Sequence, residues 1–175
     1  MTILRKTDDD YMRLALRQAE SAEEQGEVPV GAVIVREQQV VARAYNQVEM
    51  LKDATAHAEM IALTQAEALL GDWRLTECTL YVTKEPCAMC AGAMVNCRLG
   101  KLVFGCGDPR SGAAGSALDI TGFEGMLHRV PVVRGVLGEE CLERLQDFFK
   151  RRRSGPPEGG PLGALCVRRE QDRSD

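Results

Sequence analysis

Thr79-Leu80-Tyr81-Val82-Thr83-Lys84-Glu85-Pro86-Cys87-Ala88-Met89-Cys90 reads as a strand that runs straight into a helix. Thr79–Thr83 alternates and is rich in β-branched and aromatic side chains, which suit a pleated surface. Pro86 fits the first turn of a helix, where no intrahelical N–H is needed. From Cys87 to Cys97 the residues are small and apolar, the composition of a buried helix. Cys87 and Cys90 are three apart, so one helical turn puts both on the same face. A helix N-terminus favours thiolate, the form that binds a metal.

Outward from this unit, the flanking patterns complete an α/β chain. Ala56 to Leu70 reads as a helix, with Met60, Ile61, Leu63 and Leu70 as apolar positions and Gly71 as a stop. Val30–Arg36 and Val40–Tyr45 are β-rich, with Glu37-Gln38-Gln39 as a hairpin connection. Tyr11, Ala15, Ala19 and Ala22 recur at helical spacing, as do Met12 and Leu16. Asp8 to Asp10 supply carboxylates at that helix's start, and Gly26 can stop it. Downstream come a short strand at Leu102–Phe104, a Gly/Ala/Ser loop at Asp108–Ser116, a strand at Pro131–Val136 and a helix at Glu139–Arg153. The order α-β-β-α-β-α-β-loop-β-α predicts a three-layer α/β/α architecture with a mixed sheet of about five strands. Strands separated by helices are expected to pair in parallel through right-handed crossovers.

Residues 1–153 are read as one domain, and 154–175 as a largely disordered tail. The tail is Gly/Pro-rich, as in Gly155-Pro156-Pro157 and Gly159-Gly160-Pro161, and then charged. No apolar run approaches the ~20 residues that span a bilayer. The polar start ends in Asp8-Asp9-Asp10 and has no apolar segment of the secretory kind. Together these predict a cytoplasmic protein without a membrane partner. Seven cysteines without a secretory signal predict reduced thiols. Cys78, Cys97 and Cys141 suit plain core positions, and Cys106 and Cys166 receive no role. The net charge of −4 speaks against a protein that coats nucleic acid by bulk attraction. Lys150-Arg151-Arg152-Arg153 is a local exception: a solvated helix end that complements the helix dipole, or a phosphate patch.

A third metal ligand must come from elsewhere, and the chain has two histidines, His57 and His128. His57 begins its own helix and can face a site end-on. Glu59, two residues later, would point away on a helix flank, but in a first turn aimed at a pocket both can reach one small volume. One neutral imidazole and two thiolates cancel the charge of a zinc ion and leave the fourth position for water. Zinc lowers that water's pKa toward ~7, and a carboxylate outside the ligand set can then move the proton. Two other readings stay open: a structural zinc with Cys78 or Cys106 as fourth ligand, or a redox pair at Cys87 and Cys90. The pairing of His-x-Glu with Pro-Cys-x-x-Cys is a known signature of zinc deaminases, adenosine-editing enzymes included.

The chain resembles the bacterial tRNA-specific adenosine deaminases of the cytidine-deaminase-like superfamily. The resemblance runs from about Asp10 to Arg153. It rests on Glu27-Val28-Pro29-Val30-Gly31-Ala32, His57-Ala58-Glu59, Thr79–Thr83, and Glu85 to Met94. Phe104-Gly105 with Asp108, Gly112-Ala113-Ala114-Gly115-Ser116 and Asp147-Phe148-Phe149 complete it. It implies a cytidine-deaminase-like fold, one zinc per chain on His57, Cys87 and Cys90, and Glu59 as the proton-moving catalytic residue. The implied reaction is hydrolysis of adenosine to inosine at the wobble position of a tRNA anticodon, the base being splayed out of its loop. Asn46 is implied to contact the base, Pro29, Val30 and Ala58 to wall the pocket, and Asp108 to lie near the RNA backbone as acceptor for a ribose 2′-OH. Asp108 can equally be a turn-starting residue before Pro109, and Asn46 a strand end. Arg110, Lys150, Arg152 and Arg153 are implied phosphate contacts, and Phe149 stacks on RNA or packs in the core. The family is homodimeric. A deaminase of free guanine, cytosine or their nucleosides shares the zinc motif and is the alternative. A non-catalytic subunit on the same fold would have no need of Glu59.

Overall fold

Thr7 caps the first helix. Its side chain accepts the N–H of Asp10, and the Asp10 carboxylate accepts the N–H of Thr7, so two otherwise orphaned donors are satisfied reciprocally. In the computed structural model, which describes residues 5–155, α1 then spans Asp8–Glu24. It buries Tyr11, Met12, Ala15, Leu16, Ala19 and Ala22, the two series that the sequence spacing selects. Strands β1 (Gly31–Arg36) and β2 (Gln39–Tyr45) form an antiparallel hairpin. Its turn residues Glu37 and Gln38 have φ of 50° and 68°, the left-handed pair that a tight two-residue hairpin requires. There follow α2 (Val48–Leu51), α3 (Ala58–Leu70), β3 (Cys78–Lys84), α4 (Ala88–Asn96), β4 (Lys101–Cys106), β5 (Val132–Arg134) and α5 (Gly138–Arg153).

The five strands lie in the order β2-β1-β3-β4-β5. The β3–β4 and β4–β5 pairs are parallel. One expectation about pairing needs correction. The strands flanking α3, β2 and β3, do point the same way, but β1 lies between them and pairs antiparallel with each. The hairpin reverses the chain before the crossover, so the helix joins strands that are not neighbours. The β4–β5 pair is parallel with no helix between its strands; the long connection 107–131 makes the crossover instead.

Both α1 and α3 pack on β1 and β2, so each takes one face of the sheet. The α1 face is very close. A Cβ at Gly31 would lie 2.0 Å from the Ala15 carbonyl oxygen and 2.4 Å from the Ala19 nitrogen, and backbone atoms cannot swing aside. Helix α5 joins α1 on that face: Arg144 reaches Glu20 at 2.8 Å and Glu23 at 3.1 Å, and Arg151 pairs with Glu23 as well. Helix α4 contacts α3. The buried positions of α3 are Ala58, Glu59, Ala62, Leu63 and Ala66, whereas Met60, Ile61 and Leu70, expected as its apolar face, are only partly buried. Alanine at every fourth position lets the helix axis approach the sheet, and the larger side chains fall to its flanks.

Cys78, Cys97, Cys106 and Cys141 are buried free thiols. Burial pushes Cys97 and Cys141 up to about 12 and Cys106 to about 11, so these thiols stay protonated and pack as small hydrophobes. Helix α5 ends at Arg153. The expected tail falls, from residue 156 onward, outside the described residues, and Cys166 with it.

Candidate active site

Two helix N-termini converge on one point. His57 is the N-cap of α3 and Cys87 the N-cap of α4. Glu59 and Cys90 sit in the first turns that follow. Pro86 thus precedes the cap and lies outside the helix. A cap position frees the side chain to project along the helix axis, and so His57 and Glu59 share a volume despite their spacing. The His57 Nδ1 lies 3.7 Å from the Cys87 Sγ and 3.5 Å from the Cys90 Sγ, and the two sulfurs are 3.8 Å apart. These three residues form the one group of this kind able to hold a metal ion among the described residues. Cys78 and Cys106 stand apart from it, so neither completes a closed four-ligand set. The sulfur separation also shows two free thiols rather than a disulfide.

The electrostatics of the cluster ask for a cation. Hydrogen bonds from Cys90 and then His57 pull the Cys87 thiol down to about 3. The same coupling to Cys87, with burial second, pushes Cys90 up. Two thiolates beside a carboxylate repel one another, and both sulfurs ionise together only around a positive ion. The positive ends of α3 and α4 favour that ionised state. Burial raises the Glu59 carboxyl above its ordinary range, in the direction that suits a group exchanging protons near neutrality.

The cluster opens into a cavity of about 320 Å³, within the range of small-molecule pockets. Val30, Asn46, His57, Glu59 and Cys87 line it, and Arg152 reaches it from the end of α5. Pro29 and Ala58, expected in its wall, are buried and do not line it. A wider groove of about 560 Å³ between α1 and α5 is lined by Arg13, Arg17, Glu20, Glu140, Arg144 and other charged groups. Many of these pair with one another, and none is a metal-ligand or proton-moving candidate, so the smaller cavity is the candidate site.

The remaining expected RNA contacts divide. Arg110, Phe149, Lys150 and Arg153 are exposed but do not line the cavity. Lys150 pairs with Asp147 at 3.2 Å and Arg151 with Glu23, so two of the four basic residues at the end of α5 are engaged within the fold. Phe149 is 42% exposed, its ring edge-on to the buried Phe148, and it does not belong to the core. Asp108 starts a turn: its Oδ1 accepts the N–H groups of Arg110 at 2.9 Å and Ser111 at 3.2 Å.

Two buried glutamates were not assigned roles from sequence. Glu27 accepts the Asn46 Nδ2 at 3.2 Å and the N–H groups of Glu49 at 3.2 Å and Met50 at 2.6 Å. A carboxylate only accepts, so the NH₂ of Asn46 is the end turned to Glu27 and the amide's orientation is fixed. Glu85 accepts the N–H groups of Asp108 at 2.9 Å and of Ala114 and Ser116 at 3.1 Å each. Burial raises the Glu85 pKa, but these bonds, with the Ser116 side chain, outweigh it and hold the carboxyl low. The one sequence hint was composition: each is an acidic residue just before an apolar stretch, next to a proline or one residue from it.

Comparison with known proteins agrees with this geometry. The model of the MafB19-like deaminase family matches residues 6–153. The tRNA-specific adenosine deaminase of Bacillus subtilis is 47% identical over 146 residues, covering 83% of this chain and 91% of that protein. The chain belongs to the tRNA-specific adenosine deaminase family. The relative of this name in Haemophilus influenzae is 44% identical over 83% of the chain and 85% of its own length. A solved structure from work on A-to-I editing by tRNA:A34 deaminases superposes with a TM-score of 0.75 at 41% identity, covering 77% of this chain and 98% of that one. A guanine deaminase of Nitrosomonas europaea superposes with a TM-score of 0.70 at 22% identity, over 84% and 86% of the two chains, and shares the fold alone. The family membership makes this chain a hydrolytic deaminase, and its His/Cys/Cys group is the candidate metal site.

Proposed function

We propose that the protein hydrolyses the 6-amino group from the adenosine at the wobble position of a tRNA anticodon, giving inosine and ammonia, with zinc on His57, Cys87 and Cys90. What carries the reading is the meeting of the three ligand atoms with Glu59 in one pocket of a chain 47% identical to a tRNA-specific adenosine deaminase. The donor set fits zinc. Tetrahedral ligands at about 2.3 Å for sulfur and about 2.05 Å for nitrogen stand about 3.75 Å apart for two sulfurs and about 3.55 Å for sulfur and nitrogen. The corresponding separations here are 3.8 Å, 3.7 Å and 3.5 Å. When bound, zinc supplies Lewis acidity that lowers a water's pKa toward ~7.

The residues of the chain do the rest. Glu59 takes a proton from the attacking water and delivers it to N1 of the adenine. It then takes the second proton, from the hydroxyl added at C6, and passes it to the amine, so that ammonia leaves and the C6 carbonyl of inosine forms. Val28, Val30 and Val48 give the cavity an apolar wall, which excludes bulk water from the carboxyl. Asn46, its amide held by Glu27, presents its carbonyl end to the base. Arg152 at the mouth is the first phosphate contact outside the base pocket. The protein acts as a homodimer in the cytoplasm. No helix among the described residues is long and apolar enough to cross a membrane, in keeping with a tRNA substrate.

Zinc-loaded protein incubated with an anticodon stem-loop carrying adenosine at the wobble position should yield inosine far faster than with free adenosine. Inosine from neither, with ammonia released from free guanine or cytosine, would transfer the site to a free-base deaminase.

A further inference from the structure

Lys84 closes β3 and pairs in register with Cys106, the last residue of β4. It therefore stands at the carboxyl ends of two central parallel strands, where open α/β sheets bind their ligands. Its side chain is 28% exposed and lines the candidate-site cavity. Of the cavity's lining, Lys84 and Arg152 alone among the described residues carry permanent positive charge.

The Lys84 ammonium donates to Asp108 Oδ2, which also accepts the Ser111 hydroxyl. Asp108 Oδ1 accepts the N–H groups of Arg110 and Ser111. Each carboxylate oxygen thus holds two donors, which fills its lone pairs. The ammonium has three donors, and Asp108 is its single hydrogen-bond partner among the described residues. Two donors of a partly buried cation in the cavity's lining are therefore without a partner among the described residues.

We propose that Lys84 is a substrate-binding residue, whose ammonium, aimed by Asp108, contacts a phosphate of the RNA strand beside the base held in the cavity. Asp108 is then the positioning residue for Lys84: it fixes the ammonium and starts the turn that carries Ser111. The proposal rests on the RNA reading of the substrate above. An anionic backbone must cross the mouth of a cavity that is otherwise lined by Glu27, Glu49, Glu59 and Glu85, and a cation there offsets the repulsion.

The test is the salt dependence of RNA binding and turnover by the full-length zinc-loaded protein, with an anticodon stem-loop as the probe. Lys84→Met should raise KM about tenfold and leave kcat within about threefold. It should flatten the log–log dependence of binding on salt by about 0.7, the value of one single-strand phosphate contact. Lys84→Gln, which keeps a donor for Asp108 but no charge, should flatten it equally. Lys84→Arg should keep the wild-type slope. Wild-type slope and KM in both neutral variants would overturn the proposal, as would a loss confined to kcat. Absence of inosine with wild-type protein would instead reject the wobble-adenosine reading, and the binding slopes on the same RNA would still decide whether Lys84 touches a phosphate.

Discussion

Glu85→Gln isolates one hydrogen bond in the support of the active-site loop. Glu85 is 1% exposed. Its Oε1 accepts Ala114 and Ser116, and its Oε2 accepts Asp108. Glutamine keeps one carbonyl oxygen for the first pair and turns an NH₂ toward the Asp108 N–H, so donor faces donor. A hydrogen bond to a charged acceptor is worth ~1.5–3 kcal/mol, and a buried donor left without a partner costs ~1–3 kcal/mol. The two figures overlap in what they count, so the expected loss is about 2–4 kcal/mol. For a domain of this size that is a fall in Tm of about 5–12 °C. Urea titration of the zinc-saturated protein reads the loss directly. The same loop carries Asp108 and Ser111, so KM for RNA should rise as well. Gly112 supplies an independent check. A Cβ there would lie 2.4 Å from the Glu85 carboxylate and 2.6 Å from the Asp108 carbonyl oxygen. Gly112→Ala should therefore strain the same contact, and its cost should not add to that of Glu85→Gln. A Glu85→Gln loss below about 0.5 kcal/mol, or full additivity with Gly112→Ala, would show that the loop does not depend on this carboxylate.

Cys87→Ala should lose bound zinc, and metal analysis that finds one zinc per chain in that variant would reject the ligand set. Glu59→Gln should keep the zinc and the fold while turnover falls by ~10²–10⁴-fold; activity near wild type would remove the proton-moving role. Asp108 gives a pH prediction. Burial raises its pKa, but hydrogen bonds from Lys84, Ser111 and Arg110 prevail and hold it below the ordinary 3.8. A carboxyl whose folded pKa is depressed adds stability above its unfolded value and loses it as pH falls through the folded one. The stability gap between wild type and Asp108→Asn should thus be flat at neutral pH and shrink below about pH 3.8, and a gap that persists unchanged into acid would refute the hydrogen-bonding account.

The parts of the site legible in sequence are those built from neighbours along the chain. Cys87 and Cys90 share a helical turn, and His57 and Glu59 straddle a helix start, so spacing alone brings each pair together. The strand before Cys87 was legible because Thr79–Thr83 alternates. Helix α2 was not. It has four residues, too few for a period, and its N-cap Gln47 makes no side-chain cap. Its cap comes from Glu27, which accepts the N–H groups of Glu49 and Met50 from more than 20 residues earlier. The parallel pairing of β4 with β5 was hidden for a like reason. The connection between them has no helical pattern, and part of it is held by Glu85 from the other side of the metal ligands. Hydrophobic periodicity reports burial against a face. It carries no information about which distant carboxylate will satisfy a loop's N–H groups.

Those carboxylates explain how the pocket tolerates so much negative charge. Glu27, Glu59 and Glu85 are each buried to 4% exposure or less and line one cavity. Burying a carboxylate is costly unless donors compensate it. Glu27 has two backbone N–H groups and the Asn46 amide, and Glu85 has three backbone N–H groups. Both are bound on each oxygen and unable to serve as bases. Glu59 makes none of these bonds, and burial is the largest influence on its pKa, which it raises. The unequal supply of donors sets the division of labour: two glutamates fix the walls, one orienting Asn46 and the other the loop of Asp108. The third keeps its lone pairs for a proton. A substitution that gave Glu59 a firm donor should therefore slow turnover without touching the zinc, because it would tie up the carboxylate proposed to move the proton.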